Sequence, residues 1–391
     1  RVDRRQRQMC IRDSNYMDMS AITPSSMQLN KLKWETTTEY NTGLDATFLK
    51  GKLRFTVDVY QKYVKDLLQP KVKMPTTIGY GNGYQISYMN SGKMTNKGWE
   101  FRVDAVPFQN KDWRVGVYFN IAHNENKITE MPDNYIEENY TFGNGNYAYR
   151  REEGRPMGSF YGYRYKGVYQ NKDATYARDI EGNVMKDISG NAIVMRNGSY
   201  TVAPGDAIYE DVNHDGVINQ YDIVYLGNSN PRLTGGAGLN VSYKQFKLSA
   251  IFYGRYGQDV VNATRLNNES MRGIDNQSTA VLRRWRNEGD QTDIPRALYG
   301  EGYNTLGSDR FVEDASYLRL KSLSFTYRLP KKAIQRWGFN NIDVYVTGYN
   351  LFTWTNYTGQ DPEVKTENTY AKDTATTPAS IQLVAGFNLS F

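Results

Sequence analysis

One stretch has the residue types and spacing of a cation site: Asp211-Val-Asn213-His-Asp215-Gly216-Val217-Ile218-Asn219-Gln-Tyr-Asp222. Oxygen-bearing side chains stand at positions 1, 3 and 5 of this loop, a glycine at 6 permits a sharp turn, and an acid closes it at 12. Asp211, Asn213 and Asp215 would donate side-chain oxygens and Val217 its carbonyl. Asn219 would ligate directly or hold a water. Asp222 stands where a bidentate glutamate is usual, so the coordination would be looser or the loop tighter. Pro204-Gly205 precedes and Leu226-Gly227-Asn228 follows, so neither flank reads as a helix. The expected ion is calcium, in a structural role. The alternative is a loop that holds its own backbone through Asx turns.

Nothing else in the chain suggests reactive chemistry. His123 and His214 are the only histidines, and neither has a Ser or Cys partner in a recognisable motif. Gly79-Tyr80-Gly81-Asn82-Gly83 and Gly143-Asn-Gly145 lack the lysine and the strand–helix context of a phosphate loop. The expectation is therefore no enzyme. Net charge is +6, but half of it lies in Arg1–Ser14, which holds five Arg against Asp3 and Asp13 and the single cysteine, Cys10. That stretch has no apolar period and is expected to be a non-native, adapter-derived segment, with residues 15–391 as the protein proper. The remainder carries too little charge for a nucleic-acid surface. Without Cys10 there is no disulfide framework and no thiolate zinc site.

The elements that must carry the loop read as strands. Tyr (32), Phe (15) and Trp (6) are abundant, and 39% of residues are apolar with no long apolar run. Alternation recurs over Leu53–Val59, Trp99–Ala105, Trp113–Ile121, Leu239–Tyr243, Phe246–Phe252, Leu323–Leu329 and Ile342–Val346, with an earlier strand near Glu39–Leu49. It is cleanest at the end, where Ile381, Leu383, Ala385, Phe387, Leu389 and Phe391 share one face. About eleven tilted residues suffice to cross a hydrocarbon layer. A slip of phase near Lys321 predicts a β-bulge. Short connections (near 50–52, 107–111, 244–245 and 330–340) alternate with long ones (near 64–96, 123–233, 257–312 and 350–380), which places all the long loops at one end of the sheet. Membrane barrels sort their loops this way. The count of about nine to eleven strands is roughly half of the 22 in a large plugged barrel. Tyr80, Tyr84, Tyr88, Tyr140, Tyr147 and Tyr149 in the long loops suit glycan or peptide capture, or simple loop packing.

Six motifs in order carry a resemblance: Asn96-Lys97-Gly98-Trp99-Glu100-Phe101; Gly154-Arg155-Pro156-Met157-Gly158-Ser159-Phe160-Tyr161-Gly162-Tyr163; Pro204-Gly205-Asp206 ahead of the Asp211 loop; Gly227-Asn228-Ser229-Asn230-Pro231; Tyr317-Leu318-Arg319-Leu320-Lys321; and Tyr349-Asn350-Leu351-Phe352-Thr353-Trp354. Together with the terminal Phe391, the chain resembles the C-terminal barrel portion of SusC/RagA-type TonB-linked outer-membrane transporters of Bacteroidetes. The resemblance implies an all-β, antiparallel transmembrane β-barrel of 22 strands, of which this chain supplies about the C-terminal half. It also implies long extracellular loops, with the calcium-type loop as an insertion at 204–228. Implied partners are outer-membrane lipid, a SusD-like surface lipoprotein, a glycan or peptide ligand, and the TonB complex acting through an N-terminal plug that these residues do not include. The competing expectation is a secreted β-sandwich glycan-binding protein with structural calcium. A barrel lipase or protease would need an acid/His/Ser set that the sequence does not offer.

Overall fold

The computed structural model describes residues 11–16, 19–24, 32–73, 85–131, 145–148, 151–364, 366–367 and 370–391. Nine long strands form one antiparallel sheet, each paired with its sequence neighbour. They are β1 (Thr36–Phe48), β2 (Leu53–Lys65), β3 (Lys93–Gln109), β4 (Trp113–Glu130), β5 (Leu233–Tyr243), β6 (Phe246–Tyr256), β7 (Tyr317–Arg328), β8 (Asn341–Thr355) and β9 (Gln382–Ser390). The short turns fall at one end. At the β1–β2 turn, Leu49, Lys50 and Gly51 all take positive φ, and β5 and β6 meet through Lys244-Gln245 alone. Every long connection falls at the other end, as the spacing predicts.

The register lines up one apolar row across all nine strands: Phe48, Leu53, Ala105, Val117, Leu239, Ala250, Leu323, Gly348 and Leu383. A second row runs Phe108, Val115, Val241, Leu248, Phe325, Val346 and Ala385. This face is bare. Leu44 is 60% exposed, Phe387 68% and Leu383 75%. Aromatic side chains border it at both ends. Trp113 packs against Tyr243, Phe246 against Tyr327 and Phe339 against Phe391 near the short turns, each pair with tilted rings; Trp99, Trp354 and Tyr256 stand exposed toward the loops. A sandwich would bury these rows against a second sheet, and the exposures are the opposite.

The opposite face is polar. One of its rows reads Asp45, Thr56, Arg102, Asn120, Gly236, Tyr253, Arg319 and Thr353. The register shifts at Lys321 on both sides of β7, which is the expected bulge. The bulge returns Leu318 and Leu320 to the apolar face after the change of phase.

The buried core lies in the loops rather than under the sheet. Tyr161, Tyr163, Tyr169, Tyr209, Tyr303 and Ile218 are its centre. Short ladders build this layer: Ser159–Gly162 on Val224–Asn228, Tyr165–Val168 on Ala207–Tyr209, and a four-stranded sheet of Val312–Asp314, Asp259–Asn262, Tyr370–Asp373 and Thr366–Glu367. The strand Ile11–Tyr16, paired with Met19–Pro24, runs across the boundary expected at residue 14.

Candidate functional site

Three long loops interlock above the polar face, and buried polar side chains hold them. Asp206, fully buried, accepts from Arg296 Nε at 2.7 Å, Tyr200 Oη at 2.7 Å, the Ala203 amide at 2.9 Å and Asn304 Nδ2 at 3.2 Å. It thereby ties the β4–β5 loop to the β6–β7 loop. Glu313 accepts from Arg265 Nη1 at 3.1 Å and from the Thr358 amide at 2.9 Å, which ties the β6–β7 loop to the β8–β9 loop. Burial alone would raise the Glu313 carboxyl. The Thr358 donors and the Arg265 guanidinium overcome it, and the group lies below the usual carboxylate range. Burial pushes the hydroxyls of Tyr165 and Tyr169 up to about 12, and Tyr165 Oη donates to the Asp293 carbonyl at 2.6 Å.

On the sheet itself, Arg319 is 2% exposed. Its Nη1 reaches Glu363 at 2.8 Å, its Nη2 reaches Asp361, and its Nε donates to Thr353 Oγ1 at 2.8 Å. Lys321 adds a second contact to Glu363 at 2.8 Å. The β8–β9 loop is thus clamped onto the polar wall through Asp361-Pro362-Glu363. Arg319→Ala leaves Asp361 without its cation and Glu363 with Lys321 alone. Breaking a buried pair costs about 3–5 kcal/mol, and the partial exposure of both acids puts this one near the low end. Limited proteolysis should cut the 356–381 loop in this variant and spare it in the parent.

The expected cation loop forms a compact turn. Asp211 Oδ2 accepts the Gly216 amide at 2.8 Å, and its Oδ1 accepts the Asp215 amide at 3.2 Å. Asp215 Oδ1 accepts the Val217 amide at 2.8 Å, and Asn219 Nδ2 reaches the Val217 carbonyl at 3.1 Å. Gly216 has φ +78, and a Cβ there would stand 2.9 Å from that of Ala177. Asp222 is fully buried and clamps the loop shut, accepting from the Val212 and Asn219 amides, each at 2.8 Å. Burial raises its carboxyl and the two amides oppose that rise. Asn213 Nδ2 donates to Asp215 Oδ2 at 2.9 Å. Among the described residues, no three His, Cys, Asp or Glu side chains converge on one point. A cation here would rely on the amide and carbonyl oxygens as well, and on Asn213 turning its oxygen inward. Carboxylate oxygens that each accept one amide keep a lone pair for such an ion.

The two histidines stand apart from any nucleophile motif. His123 Nδ1 lies 2.6 Å from the Arg232 carbonyl, beside Trp99, and His214 sits at the tip of the cation loop with φ 55. Of the loop tyrosines singled out by sequence, Tyr147 is buried and donates to the Ser308 carbonyl at 2.7 Å, so it packs the loops. Tyr80, Tyr84, Tyr140 and Tyr149, and the side chain of Tyr88, lie outside the described residues. Sequence reading missed the Asp206, Glu313 and Arg319 clamps, because each joins segments far apart in the chain.

The family model described as TonB dependent receptor-like, beta-barrel, matches residues 13–351. TonB-dependent receptor P3 of Formosa agariphila is 32% identical over 346 residues, covering 87% of this chain and 32% of that protein. TonB-dependent receptor SusC of Bacteroides thetaiotaomicron is 29% identical, covering 92% of this chain and 32% of that protein. Among solved structures, the RagAB peptide transporter superposes with a TM-score of 0.70 at 28% identity, over 98% of this chain and 38% of that one. The chain spans about a third of the length of the curated relatives it matches.

Proposed function

Because the chain belongs to the TonB-dependent receptor-like β-barrel family, we propose that it forms wall and extracellular loops of an outer-membrane transporter that imports glycans or peptides. The observation that carries this reading is the apolar face that crosses all nine strands, with Leu44, Phe48, Phe325, Leu383 and Phe387 exposed on it, backed by a polar face and bordered by aromatic residues. Such a surface is stable only against lipid. Lipid also tolerates no open sheet edge. The edges of β1 and β9, unpaired among the described residues, would therefore pair with further strands to close the cylinder. These residues act by shape: the polar face lines the conduit, and the interlocked loops form a platform for a SusD-like surface lipoprotein. Energy would come from TonB through a plug, and no covalent step is involved. The peptide alternative draws support from the likeness to the RagAB peptide transporter. The glycan alternative draws it from the family resemblance. Uptake by cells with and without the full-length gene, using labelled oligosaccharides and labelled peptides in parallel, separates the two. Failure of both would sink the transport reading.

We also propose that the Asp211–Asp222 loop holds a calcium ion through Asp211, Asn213, Asp215, the Val217 carbonyl, Asn219 and Asp222. The donor set is all oxygen, which suits a hard cation. Removing calcium with a chelator should make this loop more sensitive to protease, and added calcium should restore protection. Unchanged cutting sites and rates would leave a self-bonded Asx-turn loop instead.

A further inference from the structure

Three cations stand together on the polar face where β6 meets β7. Arg319 lies opposite Tyr253 in the register, Arg255 lies two pairs along opposite Tyr317, and Lys321 sits at the bulge. Two of the three are taken. Arg319 and Lys321 hold Asp361 and Glu363 of the chain's own acidic segment. Arg255 is different. Its Nε donates to Tyr253 Oη at 3.2 Å and its guanidinium lies 5.9 Å from the centre of that ring. Among the described residues no carboxylate comes within ion-pair distance of it, although Glu363 is close enough to act on its charge.

Arg255 opens into a cavity of about 800 Å³, shared with Gln360, Asp361, Glu363, Lys372 and Thr376. The carboxylates around this cavity are already engaged. Asp361 also accepts the Glu363 and Ala379 amides, and Asp373 accepts from Tyr357 Oη at 2.7 Å and the Ala375 amide at 2.9 Å. Lys372 also lines the cavity, and none of the ion pairs among the described residues includes it. Arg319 and Lys321 balance Asp361 and Glu363; against Asp373, which has no cation partner among the described residues, Arg255 and Lys372 leave the cavity one formal positive charge in excess. A half-buried guanidinium, fixed at Nε with its terminal nitrogens free, presents the fork geometry that grips a carboxylate.

The wall beside it already shows what it accepts: an extended segment, Asp361-Pro362-Glu363, with acidic side chains on Arg319 and Lys321. We propose that the cavity is a carboxylate-binding subsite for an extended acidic peptide, with Arg255 as the principal cation and Lys372 as the second. The proposal rests on the transporter reading and selects the acidic-peptide class within it.

The test uses the full-length protein in detergent and three probes: a fluorescein-labelled tetraglutamate, the matching tetraglutamine, and an oligogalacturonate. Tetraglutamate should bind best at low salt and weaken as ionic strength rises. Arg255→Gln should weaken that binding at least about tenfold, Lys372→Gln by a smaller factor, and Arg255→Lys should recover part of the loss. Binding of tetraglutamine should not change among the variants. Heat-modifiable migration of each variant establishes that the barrel is intact. Loss of that migration in the parent would sink the transporter reading, not the subsite. Equal tetraglutamate binding by parent and Arg255→Gln would overturn the subsite. Binding of oligogalacturonate without tetraglutamate would overturn the peptide assignment.

Discussion

Leu239→Arg is expected to cost the folded barrel about 2–4 kcal/mol, the penalty for a cation at the lipid midplane of a strand. Asn240→Arg, one residue along, is expected to cost little. Leu239 is the central member of the nine-strand apolar row, between Val117 and Ala250. Asn240 faces the other way, opposite Gly116 and Ser249, and borders a polar cavity of about 490 Å³ with Thr56, Arg102 and Asp104. A new guanidinium there has water, space and an acid within reach. The contrast is a matter of side, since the two positions share strand, depth and flanking strands. Urea titration read by heat-modifiable migration gives both values. If the two variants lost stability equally, the two faces would not meet different solvents.

Asp206→Ala is expected to loosen the loop layer by about 3 kcal/mol while leaving the sheet folded. The carboxylate is fully buried and accepts from an arginine, a tyrosine, an asparagine and an amide. Removing it strands donors in a dry site, and a broken buried pair costs about 3–5 kcal/mol. Arg296 is one-third exposed and can turn to water, which places the loss at the lower end. Asp206→Asn keeps the shape and some of the hydrogen bonds, so it should fall between the parent and the alanine variant. Hydrogen exchange should show faster exchange in the 159–170 and 200–209 segments and unchanged protection in β5–β8. Equal loss of protection in the strands would mean that the loops and the wall unfold as one unit.

The wall was legible in the sequence because it depends on a period of two and on loop length. Both are local properties. Leu239, Val241 and Tyr243 declare their face without knowledge of a partner, and the alternation from Ile381 to Phe391 needs only itself. Even the bulge at Lys321 showed as a change of parity. The loop layer was not legible in this way. Gly154–Tyr163 reads as a motif, yet its reason is tertiary: Phe160, Tyr161 and Tyr163 fill the loop core, the Gly158 carbonyl accepts the Ser229 amide, and Asn230 Nδ2 reaches the Met157 carbonyl at 2.6 Å. The Asp206 clamp joins residues ninety or more positions apart, and no spacing announces it. The tyrosines were the weakest signal, since the same ring serves girdle, core and binding surface. Tyr147 resolved to core only when its hydroxyl was seen on Ser308.

Spin labels along β5 test directly whether the apolar face of the sheet meets lipid. Single cysteines would be placed in turn at Ala237, Gly238, Leu239, Asn240, Val241 and Ser242 in the full-length protein, reconstituted in a bilayer and free of other cysteines. Oxygen collision rates should peak at 237, 239 and 241, and a water-soluble nickel reagent should favour 238, 240 and 242. If the labels at 237, 239 and 241 were shielded from both reagents, the face would be packed inside the protein and the barrel wall would be the wrong description.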